Sequence, residues 1–200
     1  MNFPNILTIS RIVLSPVFMI FILIENFYFR LVGTGIFLIA AATDIADGYF
    51  ARRLGRSTGF GKFMDPLADK VLVSTAFLSF VQLGYAHAWM VIIIIIREFF
   101  ITGLRSLAAY KGTVISPSFL AKAKTMTQMV AIAAILIYAN IDPWFSARHD
   151  TKIVIPTWSL PLTGWAYNLF DVILFIPLVL TVWTGIDYLL KYGGFVRTNL

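Results

Sequence analysis

The chain has 200 residues, of which 59% are hydrophobic and 13% are charged, whereas charged residues make up about 25% of an ordinary soluble domain. Its 16 basic and 10 acidic side chains give a formal net charge of +6, and it contains no cysteine. This composition excludes a soluble globular domain, disulfides, thiol catalysis and cysteine-based zinc sites. A basic membrane protein is suited to anionic lipid or anionic substrates. Nucleic-acid binding is not expected, because no basic run with interleaved aromatic residues lies outside the predicted membrane edges.

The apolar runs predict an all-α polytopic membrane protein with six transmembrane helices in a single domain, residues 1–200, because each run approaches the ~20 residues that cross a bilayer. In chain order the predicted helices cover residues 1–26, 31–52, 65–83, 89–110, 121–140 and 164–190. Pro66 is placed in the first turn of the third helix. Residues 53–64 are predicted to form a polar, glycine-rich connector, and residues 141–161, which are rich in proline and tryptophan, an interfacial loop.

Four of the ten acidic residues fall in one stretch of 26 residues around the second connection, DIADGYFARRLGRSTGFGKFMDPLAD. Asp44 and Asp47 share one face of a helix, and Asp65 and Asp69 form a stripe on the next. Ionisable residues at a membrane edge indicate a functional site. Four converging carboxylates need counter-charge, so we expect one or two divalent cations. Hard carboxylate oxygens favour Mg²⁺ or Mn²⁺, and Mg²⁺ often shares its ligand shell with substrate phosphate.

The same stretch resembles a known family. It matches the pattern D-x2-D-G-x2-A-R-x8-G-x3-D-x3-D at Asp44, Asp47, Gly48, Ala51, Arg52, Gly61, Asp65 and Asp69. That pattern is the signature of the CDP-alcohol phosphatidyltransferase family, and eight fixed positions make it specific. Two other interpretations of the acidic stretch compete with this one. Acidic residues can cap helices at a membrane edge, and membrane prenyltransferases also use magnesium with paired Asp-rich motifs. The prenyltransferase motifs, however, usually lie on separate helix pairs of a longer chain.

Three more segments resemble the phosphatidylglycerophosphate synthase branch of the family: PNILTISR at 4–11, REFFITGLR at 97–105 and AKAKTMTQ at 121–128. The resemblance implies transfer of a phosphatidyl group from CDP-diacylglycerol to sn-glycerol 3-phosphate, giving phosphatidylglycerol phosphate and CMP. It implies that Asp44, Asp47, Asp65 and Asp69 bind two Mg²⁺ or Mn²⁺ ions, with Asp69 also the catalytic base. It implies a homodimer as well. The residues that it implies for nucleotide binding are Asp47, Gly48, Ala51, Arg52 and Gly61.

Cations near the end of the fourth helix and the start of the fifth suggest a second anionic group, such as a phosphate on the acceptor. The candidates are Arg97, Arg105, Lys122 and Lys124; anchoring to lipid headgroups is the alternative for each. Arg97 and Glu98 are expected near mid-membrane. Adjacent residues do not face each other on a helix, so we expect Glu98 to pair with another helix. Lys70 is expected to pair with a carboxylate.

The distribution of basic residues predicts the orientation. With six helices, nine Lys and Arg residues lie on the side of both termini and three, including Arg30, on the other. The excess places both termini and the Asp stretch in the cytoplasm, at the cytoplasmic (inner) membrane. Two other functions stay open: a related enzyme that uses phosphatidylglycerol, serine or inositol phosphate as acceptor, and a metal-ion transporter. A transporter needs carboxylates near mid-membrane, whereas these lie at one edge.

Overall fold

The structure, a computed structural model, describes residues 3–54, 59–110, 112, 119–149, 158–159, 166–167 and 169–199, and the side chains of residues 8–43, 67–109, 112, 119–141 and 169–191. Within these residues it has six helices: α1 (Phe3–Leu23), α2 (Phe27–Leu54), α3 (Gly59–Gln82), α4 (Ala88–Tyr110), α5 (Phe119–His149) and α6 (Leu169–Asn199). Two short strands, β1 (Trp158–Ser159) and β2 (Ala166–Tyr167), pair antiparallel. The predicted helical fold class is confirmed, with this two-residue ladder as an addition.

Several predicted bounds were wrong. Two helices are shorter at one end than predicted, since α1 ends at Leu23 rather than residue 26 and residues 166–167 form β2 rather than the start of α6. In the other cases a helix continues further than its sequence suggested. Helix α3 begins at Gly59, so Pro66 is its eighth residue rather than part of its first turn. Helix α5 passes Pro143 and reaches His149, although residues 141–161 were predicted to be a loop. The 53–64 connector is likewise mostly helical, since α2 ends at Leu54. A proline removes one amide hydrogen, but the remaining backbone groups of an apolar segment still need hydrogen bonds, and a continued helix supplies them.

The outer surface of the helices is apolar, as expected of a protein surrounded by lipid. Among the described residues, Phe119–Ile141 and Leu169–Lys191 are long and apolar enough to cross a membrane, and Thr8–Leu23 and Phe27–Thr43 are shorter apolar segments. Exposed large hydrophobic side chains include Ile92, Ile96 and Phe100 on α4, and Phe175, Ile176 and Trp183 on α6. Exposed apolar area of this extent marks a surface for lipid or protein rather than for water.

The chain divides into two compact units. The first contains α1, α2, α3 and the part of α5 from residue 134, and in it α1 packs against α2 and α3. Its core includes Phe18 and Phe37, whose ring centroids are 5.3 Å apart. On α3 the buried side chains Ala68, Leu72 and Ala76 recur every four residues. This spacing places them on one face of the helix.

A glycine sets the distance between α1 and α2. A Cβ atom added to Gly33 would lie 3.0 Å from the backbone nitrogen of Ile22 and 3.2 Å from Cβ of Phe21. Small residues at such positions let membrane helices approach closely. The absence of a side chain at residue 33 is therefore what allows this helix pair to pack.

Arg30 is buried in the first unit, although the sequence placed it among loop residues. Its Nη1 donates to the carbonyl oxygen of Ala139 at 3.4 Å, and its Nε donates to the carbonyl oxygen of Ile24 at 3.2 Å. Pro143, four residues after Ala139, has no amide hydrogen to donate to that carbonyl. Arg30 thus supplies a hydrogen bond that the proline cannot, and it joins α2 to α5 and to the end of α1.

The second unit contains α4, the part of α5 up to residue 133, and α6. The backbone nitrogen of His87, which precedes α4, donates to Asp171 Oδ1 at 3.1 Å, and further along Arg97 Nη2 donates to Thr184 Oγ1 at 2.8 Å. The contacts follow the same order along both helices, so α4 and α6 run parallel. In a chain that crosses a membrane repeatedly, each helix reverses the direction of the helix before it. Helices such as α4 and α6, which have one helix between them, then run in the same direction.

Candidate active site

The Asp motif lies on two helices that contact each other in the first unit. Asp44 and Asp47 belong to the last turns of α2, and Asp65 and Asp69 belong to α3, which begins five residues after α2 ends. The side chains of residues 44–66 lie outside the described residues. The roles predicted for Asp44, Asp47, Gly48, Ala51, Arg52, Gly61 and Asp65 therefore stay predictions, and so does the convergence of the four carboxylates.

Asp69 is the motif residue whose side chain is described. It precedes Leu72 and Ala76, which are buried, by three and seven residues, so it borders the core-facing stripe of α3 formed by Ala68, Leu72 and Ala76. Its side chain is 36% exposed, and Oδ2 accepts a hydrogen bond from Lys70 Nζ at 2.9 Å. The predicted pairing of Lys70 is confirmed. Asp69 thus combines a position on the packed face with access from outside.

The residues of the motif fit a divalent cation in the chemistry of their donors. All four side chains offer hard carboxylate oxygens, and helical spacing places each pair on one side of its helix. The side chain of Asp69 is accessible, and its described partner is the ammonium group of Lys70. A metal ion could replace that ammonium group as the counter-charge of the carboxylate. Asp44, Asp47, Asp65 and Asp69 are consequently the residues that would hold Mg²⁺ or Mn²⁺.

A buried polar cluster occupies the second unit. Glu98 Oε1 accepts hydrogen bonds from Lys124 Nζ and from Gln128 Nε2, the latter at 3.2 Å, and Arg97 Nη1 lies 3.8 Å away. The expected pairing of Glu98 with another helix is confirmed. Glu98 and Lys124 are 5% and 3% exposed. A buried charge in apolar surroundings is costly unless it is paired and hydrogen-bonded, and this cluster supplies both.

The four predicted acceptor-binding cations do not share one environment. Arg97 and Lys124 belong to the buried cluster, whereas Arg105 and Lys122 are exposed and have no hydrogen bond or ion pair among the described residues. Lys122 and Lys124 are two residues apart on α5, so they point to different sides of the helix. The four residues together as acceptor-binding groups stay a prediction.

Sequence reasoning missed the neutral partners of the cluster, Gln128 and Thr184. Gln128 could have been found, because it lies four residues after Lys124 and therefore on the same face of α5. Thr184 gave no comparable signal. Its hydroxyl accepts from Arg97 and donates to the carbonyl oxygen of Leu180 at 2.7 Å, and only the packing of α4 on α6 brings it there.

Comparison with known proteins agrees with the motif. A family model described as CDP-alcohol phosphatidyltransferase matches residues 1–183. A Bacillus subtilis protein named CDP-diacylglycerol–glycerol-3-phosphate 3-phosphatidyltransferase is 38% identical over 99% of this chain and 98% of its own length. Proteins of the same name from Salmonella typhimurium and Rickettsia bellii are 34% and 33% identical, over 96% and 94% of this chain and 96% and 93% of their own lengths. The chain belongs to the CDP-alcohol phosphatidyltransferase family.

Proposed function

We propose that the protein transfers the phosphatidyl group of CDP-diacylglycerol to sn-glycerol 3-phosphate, giving phosphatidylglycerol phosphate and CMP. The observation that carries the proposal is the complete eight-position motif on two contacting helices, in which Asp69 borders the core-facing stripe of α3. The relatives that bear the name of this activity match the chain over nearly its whole length, which supports the same acceptor.

The mechanism divides between the motif and the cations. Asp44, Asp47, Asp65 and Asp69 would hold the metal ions, and Asp47, Gly48, Ala51, Arg52 and Gly61 would border the nucleotide. When bound, Mg²⁺ or Mn²⁺ supplies charge neutralisation at the diphosphate and at the departing CMP. Arg97, Arg105, Lys122 and Lys124 orient the acceptor through its phosphate, so that its distal hydroxyl lies in line with the attacked phosphorus.

Asp69 removes the proton of the attacking hydroxyl. A general base must be within hydrogen-bonding reach of that proton, and the partial exposure of Asp69 leaves room for a substrate group beside it. The bond from Lys70 Nζ fixes the orientation of Oδ2. The carboxylate is therefore held at one oxygen while the side chain stays accessible.

The site is proposed to face the cytoplasm in an inner-membrane protein with six spans and both termini inside. Each described helix has between 21 and 31 residues, which is enough to cross a bilayer. The parallel direction of α4 and α6 supports an alternating topology. A homodimer is proposed on the family resemblance alone.

An acceptor screen tests the proposal. Purified protein in nanodiscs receives CDP-diacylglycerol and, in separate reactions, radiolabelled sn-glycerol 3-phosphate, serine, inositol phosphate or phosphatidylglycerol. We expect labelled lipid and equimolar CMP with glycerol 3-phosphate, and loss of both when EDTA removes divalent cations and their return when Mg²⁺ or Mn²⁺ is added. Product from another acceptor instead would assign a different enzyme of the family. Metal flux into liposomes without CMP release would point to a transporter.

A further inference from the structure

The facing sides of α1 and α2 follow the same spacing. The buried side chains of α1 recur at alternating steps of three and four residues, and they are Thr8, Arg11, Ser15, Phe18 and Ile22. On α2 the same steps lead from three buried residues to the first two carboxylates of the motif, in the order Gly33, Phe37, Ala40, Asp44 and Asp47. Steps that average 3.5 residues keep one side of a helix against its neighbour over several turns.

Two contacts fix the alignment of these helices. A Cβ atom added to Gly33 would lie 3.0 Å from the backbone nitrogen of Ile22. Four residues further along α2, the ring of Phe37 lies with its centroid 5.3 Å from that of Phe18, which is four residues further back along α1. The two helices therefore run antiparallel and advance in step with each other.

The same alignment brings Arg11 to the level of Asp44. Asp44 is seven residues after Phe37, and Arg11 is seven residues before Phe18. Seven residues span about 10.5 Å along the axis of either helix. Arg11 and Asp44 thus occupy matching positions, one on the buried side of α1 and the other where the spacing of α2 continues.

Arg11 is a cation in the interior of the first unit. Its side chain is 1% exposed and is among the largest that are fully buried. A guanidinium group in such surroundings is costly unless it is paired and hydrogen-bonded. Among the described carboxylates of this unit, Asp69 is paired with Lys70, and Glu25 is exposed beyond the other end of α1. The alignment of the helices favours Asp44 as the counter-charge.

We propose that Arg11 is a positioning residue that pairs with Asp44 and holds this carboxylate for the metal site. The inference rests on the proposed function for the role of Asp44 as a metal ligand, and it deepens that function by adding a residue outside the eight-position motif. Four carboxylates that converge repel one another before a metal ion binds. A guanidinium fixed on α1 offsets part of this repulsion and bonds one oxygen of Asp44, which leaves the other oxygen for the metal ion.

Melting temperatures measured in EDTA test the pair without metal or turnover. We expect Arg11→Gln to lower the melting temperature of the purified protein by about 10 °C, because a broken buried ion pair leaves one charge without its partner. In a protein that already carries Asp44→Asn, we expect the same substitution to have less than half of that effect. An equal decrease in both backgrounds would overturn the pairing. A decrease that Asp47→Asn suppresses and Asp44→Asn does not would overturn it as well.

Binding of Mn²⁺, measured by electron paramagnetic resonance of the free ion, tests the positioning role. We expect Arg11→Gln to raise the dissociation constant about 10- to 100-fold, the usual effect of removing a residue that orients a metal ligand. Arg11→Lys keeps the charge and should restore part of the affinity. If Arg11 only repelled the metal ion, its removal would strengthen binding. An equal or higher Mn²⁺ affinity of the Arg11→Gln variant therefore overturns the proposal.

Arg30→Gln is the matched control, because Arg30 is a second buried arginine of the same unit. Its partners are the carbonyl oxygens of Ile24 and Ala139, towards the other end of α1. We expect a lower melting temperature with unchanged Mn²⁺ affinity. Equal losses of affinity in both arginine variants would contradict a specific role of Arg11. Coupling of Arg11 to Asp44 and Mn²⁺ binding in a protein that is inactive with glycerol 3-phosphate would support the inference and refute the proposed acceptor.

Discussion

Asp69 is accessible although it lies at the packed face of α3. A substrate hydroxyl can therefore reach its carboxylate, and the side chain can be tested as a base by substitution. Asp69→Asn keeps the shape of the side chain but cannot accept a proton. We expect transfer to fall by about 10²- to 10⁴-fold, the usual contribution of a general base, with the protein still inserted in the membrane. The measurement is CMP release from purified protein, normalised to the folded fraction in size-exclusion chromatography.

Asp187→Asn is the control for that substitution. Asp187 also pairs with a lysine, Lys191 Nζ at 2.9 Å, and its side chain is 35% exposed, close to the exposure of Asp69. We expect normal turnover, because Asp187 lies on α6 outside the motif. Normal turnover by the Asp69→Asn variant would exclude Asp69 as the base.

Sequence was sufficient to predict that certain residues need partners, but not which partners they find. A glutamate inside an apolar helix must be paired, and Glu98 is. The choice of Lys124 depends on the rotation of α5 about its axis. Sequence also grouped Lys122 with Lys124, although residues two apart lie on different sides of a helix. Which of the two faces Glu98 depends on the rotation of α5.

The contact between helices α1 and α2 depends on the absence of a side chain at Gly33. Gly33→Ala places a methyl group 3.0 Å from the backbone nitrogen of Ile22, and backbone cannot move aside as a flexible side chain can. Overpacking of this kind costs about 1–3 kcal/mol. We expect a lower free energy of unfolding in an SDS titration monitored by circular dichroism.

Gly35→Ala is the matched control on the same helix. An added Cβ atom at Gly35 would have no neighbour within 4 Å, and alanine is favoured over glycine in a helix by up to about 1 kcal/mol. We therefore expect equal or higher stability. Equal destabilisation by both substitutions would show that the α1–α2 contact does not depend on residue 33.

Helices were easier to predict than their ends. Long apolar runs indicated each of the six elements, since a membrane leaves few alternatives to a helix. Pro143 contributed to the wrong prediction of a loop from residue 141, because proline is common in loops, yet α5 continues through it. The carbonyl that Pro143 leaves without a helical donor is bonded by Arg30 from α2, and that compensation depends on a residue more than a hundred positions away.

The orientation of the chain in the membrane was predicted from the number of basic loop residues on each side, and the structure changes that number. Arg30 and Lys124 are both buried, with exposures of 7% and 3%, so neither acts as a basic loop residue. Removing one from each side of the sequence count of nine and three leaves eight against two. The bias towards the side of the termini therefore persists, and the predicted orientation does not depend on either residue.

Cysteine labelling tests this orientation directly, because the chain has no native cysteine. Glu25 lies exposed between α1 and α2, and Lys191 lies exposed at the end of the apolar part of α6. Five spans separate the two positions in the proposed topology, so they belong on opposite sides of the membrane. In intact spheroplasts we expect a membrane-impermeant maleimide to label the Glu25→Cys variant at once and the Lys191→Cys variant only after lysis. Immediate labelling of both would require an even number of spans between them, and the reverse pattern would place the Asp motif on the outer face, away from cytoplasmic nucleotide-activated lipid.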